Sequence, residues 1–434
     1  MTYTPVVDRF ALPTPLDPPS AALFVLAVIA AAALTARRPA YGLAALVLTT
    51  PIAFAHEALG TTVTLPKCIL FGILLGLSTF AGATAYVRRP PAPLLLGALA
   101  VYAAATALTL LDAAHRGAAV RETLKTIEYA AVFLAAFLCY ALDGEDAPLV
   151  GAIAVAAIVV SLSALAEEIV GAPSGLYIGS AIVPRIAGLL EGPNQLSGYC
   201  EIAAAALGAW ALVRRSALLD VALALTICAG ILTFSRAGAI GLAIVGAILA
   251  IAGGRVAWRA LQPAIVGLIA GLAGSAWWAI YAHTPSVLRA SLEPSLYAGG
   301  VGNRSQLWSA AWRMWLDRPV LGVGAGNFEL ELAEYGVRGV RTHANSWYLQ
   351  SLAEGGLVLF TATMALLAAI VTAFARKLRP LRESIGAPWI LAALAATLGL
   401  ALHQTVDYLV FYPKVGAAWW VLLGIAAAAA ARGE

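Results

Sequence analysis

The feature that most constrains this chain is a recurrence of long apolar runs. They lie near 20–36, 41–56, 66–87, 92–111, 119–142, 147–168, 196–213, 217–234, 237–254, 261–281, 346–375, 387–403 and 414–431. About 20 apolar residues in a helix span the roughly 30 Å hydrocarbon layer of a bilayer. In that layer every backbone N–H and C=O must find a partner within the protein, which leaves helices or a closed barrel. Barrel strands alternate polar and apolar residues, and "AIAVAAIVVSLSALA" does not. Charged residues make up 12% of the chain against 61% hydrophobic, too little charge to cover a soluble surface of this length. The expectation is an all-α polytopic membrane protein with about 12–13 transmembrane helices, forming one integral membrane domain over residues 1–434.

Basic residues in short connections mark the cytoplasmic face. Arg37-Arg38, Arg88-Arg89, Arg214-Arg215, Arg255 with Arg259, and "ARKLRPLRES" at 375–384 all fall on one face when crossings are counted. The opposite face then carries two long connections, 169–195 and 282–345, and the five histidines lie on or near it. With 13 crossings the N-terminus also lies outside; with 12, the first or last run is not a full span. The opening stretch lacks the basic region and short apolar core of a cleavable signal. Cys68, Cys139, Cys200 and Cys228 sit inside apolar runs without metal-type spacing, as small buried hydrophobes do. No basic tract is interleaved with aromatics, so nucleic acid is not an expected partner, whereas membrane lipid is.

Four stretches on the outer face carry chemistry. "VPRIAGLLEGPNQLSG" holds Arg185, Glu191 and Asn194; "TFSRAGAIG" puts Arg236 between two apolar helices with almost no loop. An arginine at membrane depth costs about 2.5–3.5 kcal/mol on insertion scales. It either snorkels to the interface, pairs with a carboxylate, or grips an anion with its planar fork. In "GNRSQLWSAAWRMWLDRPVLGVGAGNF", Leu307, Trp308, Ala311, Trp312 and Trp315 recur at helical spacing, which predicts a helix in the membrane plane with an aromatic face and Arg304 near its start. "GVGAG" follows no predicted strand and lacks the Walker lysine, so it is not read as a phosphate loop. In "RTHANSWYLQSLAEGG", His343 is either a structural histidine bonded to a backbone carbonyl or a general base, kept neutral by Arg341 and Arg338 and oriented by Asn345 or a loop carboxylate. The combination suits a substrate with a membrane-embedded tail and an interfacial phosphate or pyrophosphate. No Asp-x-Asp pair occurs in the outer loops, so arginines are expected to replace a cation: no metal and no cofactor.

These pieces resemble the O-antigen ligase / O-antigen polymerase superfamily. "TFSRAG" at 233–238, "NRSQLWSAAWRMWLDRPVLGVGAGNF" at 303–328 and "THANSWYLQSLAEGGLVLF" at 342–360 carry the resemblance, with "GPNQLSG" at 192–198 beside them. It covers about 185–360; the rest matches as generic transmembrane sequence. The resemblance implies a GT-C-like glycosyltransferase of the bacterial inner membrane, working at the periplasmic face on a glycan linked to undecaprenyl pyrophosphate. Family arginines that contact the pyrophosphate map onto Arg236 and Arg304, with Arg185 as a third, and the essential histidine maps onto His343 as candidate base. Asn194, Asn345 and Arg341 are supporting residues. Many members read His-Asn directly, whereas Ala344 intervenes here.

Within the superfamily the large loop at 282–345 favours a ligase, with lipid A-core as acceptor, over a polymerase that joins lipid-linked repeat units. The absence of a soluble region after the last run disfavours transfer to protein. A lipid-linked glycan transporter is the rival from another class, but no inverted repeat is visible and Glu128, Glu201 and Asp220 are the main internal carboxylates.

Overall fold

The computed structural model describes residues 14–52, 54–58, 61–172, 174–178, 181–281, 301–338, 342–378 and 386–432. In chain order the helices are α1 (Pro18–Arg37), α2 (Pro39–Thr49), α3 (Leu65–Leu77), α4 (Thr84–Val87), α5 (Ala92–Leu108), α6 (Arg116–Asp143), α7 (Asp146–Val170) and α8 (Pro193–Val213). They continue as α9 (Ala217–Leu232), α10 (Arg236–Gly253), α11 (Trp258–Tyr281), α12 (Val301–Asp317), α13 (Phe328–Glu331), α14 (Trp347–Ala375), α15 (Ala387–His403) and α16 (Pro413–Arg432). Among the described residues nine helices are long and apolar enough to cross a membrane, and α2, α3, α9 and α15 are shorter apolar helices. Each apolar run expected from the sequence therefore holds a helix, and the chain is an all-α polytopic membrane protein.

Sequence chemistry sets the helix starts. Asp17 caps α1 by accepting from Ser20 N, Thr64 caps α3 and Ser346 caps α14, while prolines occupy the first turns of α1, α3, α8 and α15. Two spans are shorter than expected, and in the run 66–87 the helix stops at Leu77, ahead of the short α4. The run 41–56 stays helical only to Thr49, because Pro51 lacks the N–H a further turn requires. Residues 55–58 instead form β2, which pairs antiparallel with β3 (Thr61–Thr64) and parallel with β1 (Thr14–Pro15). The connection before α8 likewise contains a hairpin, β4 (Ser174–Ile178) with β5 (Ala181–Arg185).

α8 is the buried centre, every residue from Gln195 to Leu212 being buried. Its run of alanine and glycine lets α7, α9, α10, α15 and α16 approach closely, the usual basis of helix association in lipid. The outer helices present large apolar side chains outward, including Leu26, Ile29, Val266 and Ile269. Contacts mark two ends of the bundle. At one end Arg38 pairs with Glu145 at 2.6 Å and Arg432 donates to Tyr140 O at 2.9 Å. At the opposite end of α6, His115 N donates to Asn327 Oδ1 at 2.7 Å and Phe328 N donates to Glu354 Oε1 at 3.2 Å, which places residues 327–328 and the start of α14 there.

At that second end α14 is broken, and the break organises everything around it. Gly356 takes φ 56° and ψ −153°, which interrupts the helical ladder. Leu357 N and Val358 N, which would have donated to Ala353 O and Glu354 O, donate instead to Pro319 O (2.8 Å) and Val320 O (3.3 Å). The vacated Ala353 O and Glu354 O accept from Val323 N and Gly324 N, both at 2.9 Å. The exchange leaves no orphan groups, as an apolar setting demands. It also explains the glycines: a Cβ on Gly322 would lie 2.4 Å from Glu354 C, and one on Gly356 2.4 Å from Val320 C. "GVGAG" is thus a backbone clasp on a broken helix.

Candidate active site

His343 sits in the short connection that enters α14, and three elements converge on it. Its Nε2 lies 2.9 Å from Tyr412 Oη, while its Nδ1 accepts from the backbone N–H of Asn345 at 3.1 Å. Asn345 has φ 48°, a left-handed conformation asparagine tolerates, and this turn directs its amide back at the ring. Asn345 therefore orients the histidine, but through its backbone rather than its side chain. Ala344 N donates to Gln350 Oε1 at 2.6 Å, and Gln350 Nε2 donates to Glu354 Oε1 at 2.8 Å. Glu354 Oε1 also accepts from Phe328 N at 3.2 Å, which ties the clasp to the histidine connection. Tyr408, Phe411 and Tyr412 surround the ring at centroid distances of 5.9, 5.6 and 5.7 Å. Burial lowers the pKa of His343 below its ordinary value; Lys125 and Arg304 push the same way and Asp407 opposes them. The imidazole is held neutral.

The basic group stands beside it. Arg185 ends β5 and donates from Nε to Thr233 O (2.7 Å) and from Nη2 to Asn194 Oδ1 (2.8 Å). Asn194 Nδ2 then donates to Asp407 Oδ2 at 2.6 Å, and Asp407 is itself buried. Burial brings the pKa of Arg185 down to about 10, Arg304 adds to the fall and Asp407 opposes it. Two cations and one carboxylate thus share a poorly solvated corner in which excess positive charge would favour an arriving anion. Among the described residues no group of three or more His, Cys, Asp or Glu side chains is assembled as a metal site requires.

A cavity of about 360 Å³ opens against His343, with Arg121, Glu122, Glu329, Gln350, Phe411 and Tyr412 among its lining. Polar hydrogen-bonding groups beside aromatic rings are what a sugar's hydroxyls and apolar faces require. Lys125 pairs with Glu122 at 3.2 Å and lies 3.9 Å from the centroid of Phe411.

Of the residues singled out in sequence, the structure brings together His343, Asn345, Arg185, Asn194 and the charge of Arg304. Arg236 is exposed at the first turn of α10. Among the described residues no hydrogen bond or ion pair joins it to that group; its neighbour Ser235 lies 3.4 Å from His403 Nε2. Arg341 lies outside the described residues. α12 differs from its expected aromatic face. It buries Leu307, Ala310, Ala311 and Met314 against Ala344, Ala353 and Phe328, because these small or flexible side chains fit a close helix crossing. Trp312 is exposed and stacks edge-on with Trp315 at 4.6 Å, while Trp308 reaches Asn345 O at 3.4 Å. Arg121, Glu122, Lys125, Asp407 and Tyr412 were missed. The signal was present as two cations and a carboxylate within one apolar run at 121–125, and as an aspartate among aromatics in "VDYLVFYPK".

No curated protein matches the chain. Residues 221–364, less than half of the chain, match the family described as O-antigen ligase. The match takes in Arg236, Arg304 and His343 but not Arg185, Asn194, Asp407 or Tyr412. With the motifs this stretch contains, the match supports membership of the O-antigen ligase/polymerase superfamily.

Proposed function

We propose that the protein is an O-antigen ligase of the bacterial inner membrane, with a GT-C-like helical frame. Its reaction transfers a glycan from undecaprenyl pyrophosphate to a sugar hydroxyl of lipid A-core at the periplasmic face, with inversion and without a divalent metal. The observation that carries this reading is one corner where His343 and a sugar-sized polar cavity adjoin half-buried Arg185 and the charge of Arg304. Arg304 and Arg185 hold the pyrophosphate, Arg236 meets it from the membrane surface, and developing charge on the leaving group is met by guanidinium forks. Asn194 and Asp407 set the orientation of Arg185. His343 stands against the reacting atoms, and the cavity takes the acceptor sugar. Residues 1–434 act as one membrane domain with periplasmic connections at 169–195 and 282–345, of which 173, 179–180, 282–300 and 339–341 lie outside the described residues.

The test is a reconstituted reaction with EDTA present, supplied with lipid-linked glycan and, separately, with lipid A-core added. Product that forms only with lipid A-core supports the ligase. Elongated lipid-linked chains without core would make the enzyme a polymerase.

A further inference from the structure

The two contacts of His343 fix which of its nitrogens carries the proton. A backbone amide can only donate, so Nδ1, which receives the Asn345 N–H at 3.1 Å, presents its lone pair. A neutral imidazole has one N–H, which must therefore be on Nε2. At 2.9 Å from Tyr412 Oη that N–H donates and the phenol oxygen accepts. Protonating the ring would put a proton on Nδ1 facing another N–H, and would leave the Nε2 proton where it is. Nε2, which points at Tyr412 of the cavity lining, is a donor in either state, whereas the one lone pair is turned onto the protein's own backbone.

We propose that His343 acts as a hydrogen-bond donor through Nε2–H to an oxygen of the leaving pyrophosphate, with Tyr412 Oη accepting that hydrogen bond in the resting site. The proposal rests on the transfer reaction above and changes how its histidine works. In the step, an oxygen lone pair of the acceptor hydroxyl forms the bond to the anomeric carbon. The electron pair of the anomeric C–O bond departs on the pyrophosphate. The hydroxyl proton passes to a carboxylate of the cavity, Glu122 or Glu329, which becomes a neutral acid. His343 keeps its proton throughout and joins Arg304 in meeting negative charge. Besides Tyr408 and Tyr412, the titratable and charged groups around the ring are Arg121, Glu122 and Lys125 from α6, Arg304 from α12, Glu329 from α13, Glu354 from α14 and Asp407 from the connection before α16.

The first arm needs no substrate. Nitrogen-15 NMR of histidine-labelled protein, with His343→Gln used to assign the signal, is expected to show a protonated Nε2 and a bare Nδ1 near neutral pH. A proton on Nδ1 would overturn the proposal. The second arm measures transfer against pH in the wild type, His343→Gln and His343→Ala. Glutamine places an N–H near Nε2, so this variant should exceed the alanine variant by about tenfold or more, with a pH profile shaped like the wild type's. An acid limb present in the wild type and absent from the glutamine variant would mean that the histidine accepts the proton, and the proposal falls. If the wild type transfers nothing, the ligase reading fails, while the spectrum still decides the tautomer.

Discussion

Glu354 lies on α14 just before its break at Gly356, and the structure makes it a positioning residue for the histidine. Its Oε1 accepts from Phe328 N at 3.2 Å and from Gln350 Nε2 at 2.8 Å, and Gln350 passes the restraint to the amide next to His343. Glu354→Ala leaves two donors buried without an acceptor. Each orphaned donor costs about 1–3 kcal/mol, so the change should destabilise the protein by about 2–6 kcal/mol. Glu354→Gln retains a carbonyl oxygen at the same reach and should cost about 1–2 kcal/mol. Thermal unfolding in detergent gives the stability order, and transfer kinetics report the site. In Glu354→Ala the turnover should fall while donor KM holds, because Arg185 and Arg304 stand on other elements. An alanine variant that melts and turns over like the wild type, or a glutamine variant as damaged as the alanine one, would refute the chain of restraint from carboxylate to imidazole.

Arg304→Ala and Arg185→Ala should each raise donor KM about 10- to 100-fold, corresponding to one lost charge-assisted bond; lysine should rescue only in part, and an unmoved KM would remove that residue from the anion site. Gly356→Ala forces a side chain into φ 56° and against Val320 C, so yield and melting temperature should both drop; a normal melt would contradict the clasp. Glu201 and His403 form a buried pair at 2.6 Å, and removing either partner strands the other, so Glu201→Ala should cost about 3–5 kcal/mol in unfolding experiments, and Glu201→Gln less. The depressed pKa of His343 means that the unfolded chain binds this proton more readily than the folded protein. Stability from this residue is therefore present above its ordinary value of about 6.5 and lost as pH falls through the folded pKa. The difference in melting temperature between wild type and His343→Gln should accordingly change over that acidic window; a difference independent of pH would contradict the buried neutral ring.

The helical frame was legible because hydrocarbon imposes a length and an apolar composition on every span, and each run from 20–36 to 414–431 contains a helix. His343, Arg185 and Asn194 were legible because polar groups at a membrane boundary need a reason to be there. Local chemistry decided the failures. Pro51 ended the second span early, a rule available from the sequence but outweighed there by the apolar run. The aromatic face of α12 was drawn from periodicity alone, whereas close crossing with α14 selected Ala310, Ala311 and Met314 for burial. Tyr412 and Asp407 stand 69 and 213 residues from the partners they meet, a separation no spacing rule reads. The role of "GVGAG" as a clasp needed the break at Gly356, which a sequence shows only as two adjacent glycines.

Single-turnover transfer measured together with donor binding, in EDTA, tests most directly whether the arginines and the histidine serve one reaction. The account predicts that Arg304→Ala loses binding of the undecaprenyl-pyrophosphate glycan, and that His343→Ala still binds it but passes almost none to lipid A-core. Transfer by His343→Ala at the wild-type rate, or tight donor binding by Arg304→Ala, would contradict it.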